Sequence, residues 1–178
     1  DINREIYKDE KQEEKVMQYC ESLSEKLTTI IYHGTPLEIE IDKRPIRGGE
    51  KSWSWVKKGI PIRIEIGERE VDALSLSIAR RDKGYKDKVT LSEASLITEI
   101  PAILDEIQSN YFKEASSRLK ENTAVIDNED EFYAFFKSKK GFVKSFWSED
   151  KTIEEKLQKE LSVSVRCYAF KDEQKGKC

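Results

Sequence analysis

Lys58-Gly-Ile-Pro-Ile-Arg-Ile-Glu-Ile-Gly-Glu-Arg69 is the stretch from which the fold can be built. Ile62, Ile64 and Ile66 alternate with Arg63 and Glu65, the two-residue period of a strand with one apolar and one charged face. Gly67 closes the run, where a turn favours a residue without a Cβ. Leu74, Leu76 and Ile78 then alternate with Ser75, Ser77 and Ala79, which predicts a second strand directly after the first. The same parity turns Arg63, Glu65 and Arg81 away from the core face of the pair.

Upstream, Lys43-Arg-Pro-Ile-Arg-Gly-Gly-Glu-Lys-Ser-Trp-Ser-Trp-Val-Lys-Lys58 is basic and interleaved with tryptophan. A charged strand face beside such a segment offers cations for phosphates and rings for stacking, a platform for single-stranded nucleic acid. The same alternation also describes a sheet with one wet face and no ligand. Pattern alone leaves both readings open. Ser52 to Lys58 reads as a short helix capped by Ser52 and stopped by Gly59, with Gly48-Gly49 as a loop before it. Trp53 and Trp55 are two apart and cannot share a helix face, so one packs inward and the other is left free to stack.

The 178 residues, 37% apolar and 38% charged, suit one domain of ordinary size or one domain with a small appendage. The apolar positions are too periodic for a disordered chain. A net charge of −3 argues against a strong general attraction to nucleic acid, so binding of that kind must come from a local patch. No apolar run approaches the roughly 20 residues of a membrane span, and no signal peptide opens the sequence. Cys20, Cys167 and Cys178 form no disulfide framework, which predicts a reducing, cytoplasmic setting.

Ile2 to Tyr7 reads as a short strand. Glu10 to Thr29 carries Val16, Cys20, Leu23 and Leu27, with Ile30 just beyond, at steps of three and four, an amphipathic helix with Cys20 as a core thiol. His33, the single histidine, falls in a turn without a partner that would make it catalytic. Leu37, Ile39 and Ile41 predict a further strand, and Val89 to Leu91 another after the Lys83–Lys88 turn. Ser92 caps a helix with its stripe at Leu96, Ile100, Ile103, Ile107 and Tyr111, which Pro101 is expected to kink or divide.

The boundary is placed at Glu121-Asn-Thr123, giving domains at residues 1–121 and 122–178. The second holds strands at Ala124–Ile126, Gly141–Val143 and Val163–Phe170. Its helices are predicted at Glu129–Lys139 and Thr152–Leu161, and Phe132, Tyr133, Phe135 and Phe136 form its core. Lys171 to Cys178 reads as a polar end. The class is α/β: a mixed sheet flanked by helices, followed by a small α/β domain.

No catalytic constellation emerges. Gly-x-Ser-x-Gly, the phosphate-cradling loop and the dinucleotide fingerprint are absent, and the carboxylates are mixed with lysines as on a solvated face.

Trp55-Val-Lys-Lys-Gly-Ile-Pro-Ile-Arg-Ile-Glu-Ile-Gly-Glu-Arg-Glu70, Ala79-Arg-Arg-Asp82 and the Gly141-Phe-Val…Phe-Trp147 region resemble the anticodon-binding and C-terminal parts of the prolyl-tRNA synthetase family, in its archaeal and eukaryote-like form. The resemblance runs over nearly the whole chain in one order. It implies a class II anticodon-binding domain that reads the two guanines of the proline anticodon and binds tRNA(Pro), without DNA or membrane. ATP and Mg²⁺ would belong to a catalytic domain preceding this region, so the chain would carry no cofactor and be inactive alone. The full enzyme would be a cytoplasmic homodimer.

The family's basic positions fall on Arg63 and Arg69, on Lys86 and Lys88 in the later turn, and on Arg47 and Lys51 before the tryptophan; Arg81 joins them by strand parity. A cation can serve guanine O6, and a carboxylate its N1–H and N2–H₂. Many relatives carry Glu directly after the tryptophan, where this chain has Val56. Arg63 and Glu65 pairing with each other is the structural alternative. Relatives also bind zinc through four cysteines. Here Ser148 and Ile153 stand at the first pair and only Cys178 matches the second, so no zinc is expected. A protein-interaction or dimerisation module built on the same fold is the rival function.

Overall fold

The computed structural model describes residues 10–168. The chain divides into two compact units between Phe112 and Lys113.

The first unit opens with α1 (Glu10–Thr28), whose apolar stripe buries Val16, Leu23 and Leu27. Cys20 lies half-buried on that stripe, and burial pushes its thiol pKa up. A small hairpin follows, β1 (Ile31–Tyr32) against β2 (Thr35–Pro36). His33 sits at its tip with φ +48°, Nε2 3.4 Å from Asp105 Oδ1. Leu37 and Ile39 do pack on the core. The predicted strand there is not formed, however: Leu37 N–H donates to Ile30 O at 3.0 Å beside the hairpin, and residues 38–41 join no hydrogen-bonded ladder. Alternation reports which side chains face inward, not whether a neighbouring strand is there to pair with.

Next come α2 (Gly48–Lys58), β3 (Ile62–Glu65), α3 (Glu68–Asp72), β4 (Ser75–Arg80), β5 (Val89–Ser92) and α4 (Glu93–Glu121). Gly48 and Gly49 belong to the first turn of α2, not to a loop, while Gly59 stops it with φ +87° as the sequence predicts. Strands β3, β4 and β5 form an antiparallel sheet with Ile64 opposite Ile78 and Leu76 opposite Leu91. Between β3 and β4 the sequence reading missed α3. Gly67 N–H donates to Glu70 Oε2 at 2.9 Å and Val71 is buried, which closes a single turn of helix. Leu74, assigned by period to the core face, is instead 65% exposed in a left-handed turn.

Leu23, Leu27, Leu76, Ile78, Leu96 and Ile100 form the core between this sheet, α1 and α4. Fully burying each such side chain contributes roughly 1.5–3 kcal/mol. Ser92 caps α4, its Oγ accepting from Ser95 N–H at 3.1 Å. The helix runs undivided through Pro101.

The second unit contains the last turns of α4, then β6 (Thr123–Val125), α5 (Glu129–Ser138), β7 (Phe142–Lys144) and α6 (Lys151–Leu161). Strands β6 and β7 are parallel. The aromatic cluster of α5 is half-buried, with Phe132 4.9 Å and Phe135 5.1 Å from Phe136 between ring centroids. Residues 163–168 form no strand; Val165 N–H donates to Glu154 Oε1 at 3.2 Å instead. The predicted strand at Ile2–Tyr7 and the polar end from Lys171 lie outside the described residues. The α/β class is as expected, built from three small sheets among the described residues.

Candidate nucleic-acid interface

Cross-strand partners share a face, so the register assigns every side chain of the three-stranded sheet. Arg63 stands opposite Ala79, Glu65 opposite Ser77, and Ser77 opposite Thr90. These residues line the face opposite the main core cluster, where Ala79 is nonetheless buried. Arg81 extends the same parity, its backbone N–H donating to Pro61 O at 2.9 Å. Arg63 and Glu65 do not pair with each other. Arg63 donates through Nη1 to Ser52 O on α2 at 3.3 Å, and its Nε is buried without a hydrogen-bond partner. Glu65 pairs across β4 with Lys88, 2.6 Å away.

Arg80 points the opposite way. Its guanidinium reaches Asp82 and Glu106 at 2.7 Å each, and Asn110 Nδ2 donates to Asp82 at 2.7 Å. Arg80 holds the Asp82 carboxyl below its ordinary range, and Asp82 with Glu106 pushes the Arg80 pKa up. Adjacent arginines therefore have different roles: Arg80 ties β4 to α4, and Arg81 is exposed, with Nη1 3.4 Å from Gly59 O.

Helix α2 is fixed by a polar network that sequence reading did not find. Asp42 accepts from Arg44 Nη2 at 2.6 Å and from Trp55 Nε1 at 2.7 Å. Arg44 first, and then the Trp55 indole, hold Asp42 well below the usual carboxylate range against the opposing effect of burial. Lys58 Nζ lies 4.1 Å over the Trp55 ring. An open cleft of about 340 Å³ lies between residues 40–44 and Trp55 with Lys58. Asp42 and Trp55 are separated by 13 residues, and no local period links them.

The predicted basic residues fall into three settings. Lys51 is only 8% exposed and donates to Asp42 O at 3.1 Å, so it braces α2 from within. Arg63, Arg81 and Lys88 are held on or beside the sheet face by the contacts above. Arg47 at the N-cap of α2, Arg69 on α3 and Lys86 in the β4–β5 connection are exposed, and their side chains have no hydrogen-bond or ion-pair partner among the described residues. Of the two tryptophans, Trp53 is the exposed one, at 60%, with Lys57 Nζ 5.6 Å over its ring. Val56, next to Trp55, is half-buried. Glu65 is the carboxylate that shares a face with Arg63.

A four-cysteine zinc site does not fit this chain. Ser148 and Ile153 stand at its first two positions, and between them Asp150 caps α6 by accepting from Thr152 N–H at 2.8 Å. Cys178 lies outside the described residues.

A family model described as the anticodon binding domain matches residues 6–103. The chain belongs to that family. The match falls within the first unit and includes the sheet face, α2 and α3. Among similar proteins, a proline–tRNA ligase of Protochlamydia amoebophila is 37% identical over 176 residues, covering 93% of this chain and 34% of the relative. Proline–tRNA ligase 2 of Anaeromyxobacter dehalogenans is 32% identical, covering 93% of this chain and 35% of its own length. A solved prolyl-tRNA synthetase from Cryptosporidium parvum, complexed with L-proline and AMP, has a TM-score of 0.65 at 26% identity and covers 88% of this chain and 32% of that one. The chain thus spans about a third of the length of the curated relatives it matches. Arg63 and the exposed Trp53 both lie within the matched residues. No helix of the described residues is long and apolar enough to cross a membrane.

Proposed function

We propose that the chain recognises the anticodon of tRNA(Pro) as part of a proline–tRNA ligase of the archaeal and eukaryote-like form. The observation that carries this is the coincidence of the anticodon-binding family match with a polar sheet face bearing Arg63 and Glu65. In this reading a splayed guanine meets the Arg63 guanidinium through O6, and Glu65 accepts from N1–H or N2–H₂. Arg69, Arg81, Lys86, Lys88 and Arg47 contact phosphate or base, and Lys51 acts indirectly by fixing α2. ATP and Mg²⁺ serve a catalytic domain of the whole ligase, a cytoplasmic homodimer; the residues described above supply no step of proline activation.

The test is binding of the chain, at fixed salt, to a proline tRNA and to one with both anticodon guanines replaced. The expected result is discrimination of about ten-fold or more, lost in Arg63→Ala and Arg69→Ala, since a good bidentate base contact is worth roughly 1–3 kcal/mol. Equal binding of the two RNAs by the wild-type chain would refute anticodon reading.

A further inference from the structure

Another charged surface lies in the second unit, which the family match does not reach. Between Phe132 and Trp147 the sequence carries Lys137, Lys139, Lys140 and Lys144 and no Asp or Glu. That is a local concentration of one sign in a chain with a net charge of −3. The dipole of α5 accounts for Lys137, in its last turn, but not for Lys144 on a strand.

The fold joins these lysines to an open sheet face. Gly141 leads from α5 into β7 at a close approach, where a Cβ would stand 2.5 Å from the Asn122 carbonyl oxygen. The parallel register sets Thr123 beside Phe142 and Val125 beside Lys144, so these four share one face. Val125 is 81% and Phe142 51% exposed, whereas Ala124, Val143 and Ile126 on the other side are half-buried or buried. Among the described residues, the ion pairs within this unit are Arg118–Glu114 and Lys156–Glu129. Among the described residues no carboxylate pairs with Lys139, Lys140 or Lys144.

We infer that the β6–β7 face and the lysine-bearing turn entering it form a second RNA-backbone contact, independent of base identity. This rests on the proposed RNA-binding function and adds a surface to it. Ammonium groups on a segment without Asp or Glu, and with no ion-pair partner among the described residues, complement a polyanion, and each phosphate they neutralise releases counterions. RNA is the favoured polyanion because the first unit belongs to an anticodon-binding family. An RNA held there meets a second site on the same chain at high effective concentration.

The experiment compares the wild-type chain with Lys139→Gln/Lys140→Gln/Lys144→Gln and with the corresponding triple arginine variant. Affinity for the proline tRNA and for its anticodon-substituted counterpart is measured across a salt series. The glutamine variant should lower the slope of log K against log salt by about 2, from three contacts at roughly 0.7 each. Both RNAs should lose affinity equally, leaving their ratio unchanged, and the arginine variant should keep the wild-type slope. An unchanged slope with discrimination intact overturns this inference alone, and absence of RNA binding by the wild type sinks it together with the proposed function. A change in the ratio would assign these lysines to base reading and refute a backbone contact. Salt-dependent self-association abolished by glutamine, with RNA binding unaffected, would replace RNA with a second copy of the chain.

Discussion

Replacing Asp82 by alanine tests whether the Arg80 network holds the first unit together. The Asp82 side chain is 2% exposed and that of Arg80 10%, whereas Glu106 is 52% exposed. Removing one partner of a buried ion pair costs roughly 3–5 kcal/mol, because the other charge is left desolvated. Here Arg80 keeps Glu106 at 2.7 Å, but Asn110 also loses its acceptor, so the expected loss is about 2–4 kcal/mol. With a urea m-value of about 1.5 kcal/mol/M for a domain of this size, the midpoint should fall by roughly 1.3–2.7 M. The assay is urea unfolding followed by the indole proton signal of Trp55, which belongs to the first unit and is hydrogen-bonded to Asp42.

The same experiment carries a pH arm. The folded-state pKa of Asp82 is lowered, so its contribution is present above the unfolded carboxylate value, about 3.9, and is lost as pH falls through the folded value. The wild-type and alanine midpoints should therefore stay apart from pH 7 down to about 4 and converge below it. A midpoint shift under about 0.5 M at pH 7, or a gap that persists unchanged into strong acid, would refute the reasoning.

Two further substitutions probe single contacts. Gly141→Ala places its Cβ against the Asn122 carbonyl and should destabilise the second unit by about 1–3 kcal/mol, read from the Trp147 indole signal; an unchanged midpoint would show that the strand entry can relax. Lys51→Met keeps the buried stem and removes the bond to Asp42 O, so stability of the first unit should fall by about 0.5–1.5 kcal/mol. The salt slope of tRNA binding should not change in that variant, and a decrease near 0.7 would place Lys51 on a phosphate instead.

Local pattern carried much of the architecture. Ile62 to Ile66 located β3, the stripe of α1 located its buried face, Gly59 marked the end of α2, and Ser92 marked the start of α4. Each of these signals is written within a few residues, as a period or as a cap. The parity of β3 also placed Arg63 and Glu65 on the face away from the core, which is what makes that face a candidate site. Of the two tryptophans, pattern established that they must diverge, not which would be exposed.

Other features depended on partners far along the chain. Lys51 reads as one more cation in a basic loop, yet it is buried because the carbonyl of Asp42 lies where its ammonium can donate. Arg80 and Arg81 are neighbours with the same chemistry, and only the arrival of Asp82, Glu106 and Asn110 on one side of the sheet separates a structural tie from an exposed cation. Leu37 and Ile39 alternate as a strand should but belong to no strand, and Leu74 follows the period while facing water. Sequence alone determined the class and the sheet face, because periodicity and turn chemistry are local, and the order of its motifs carried the family resemblance. Tertiary structure decided which cations remain free to meet a ligand, because burial and charge pairing are set by residues that only folding brings together.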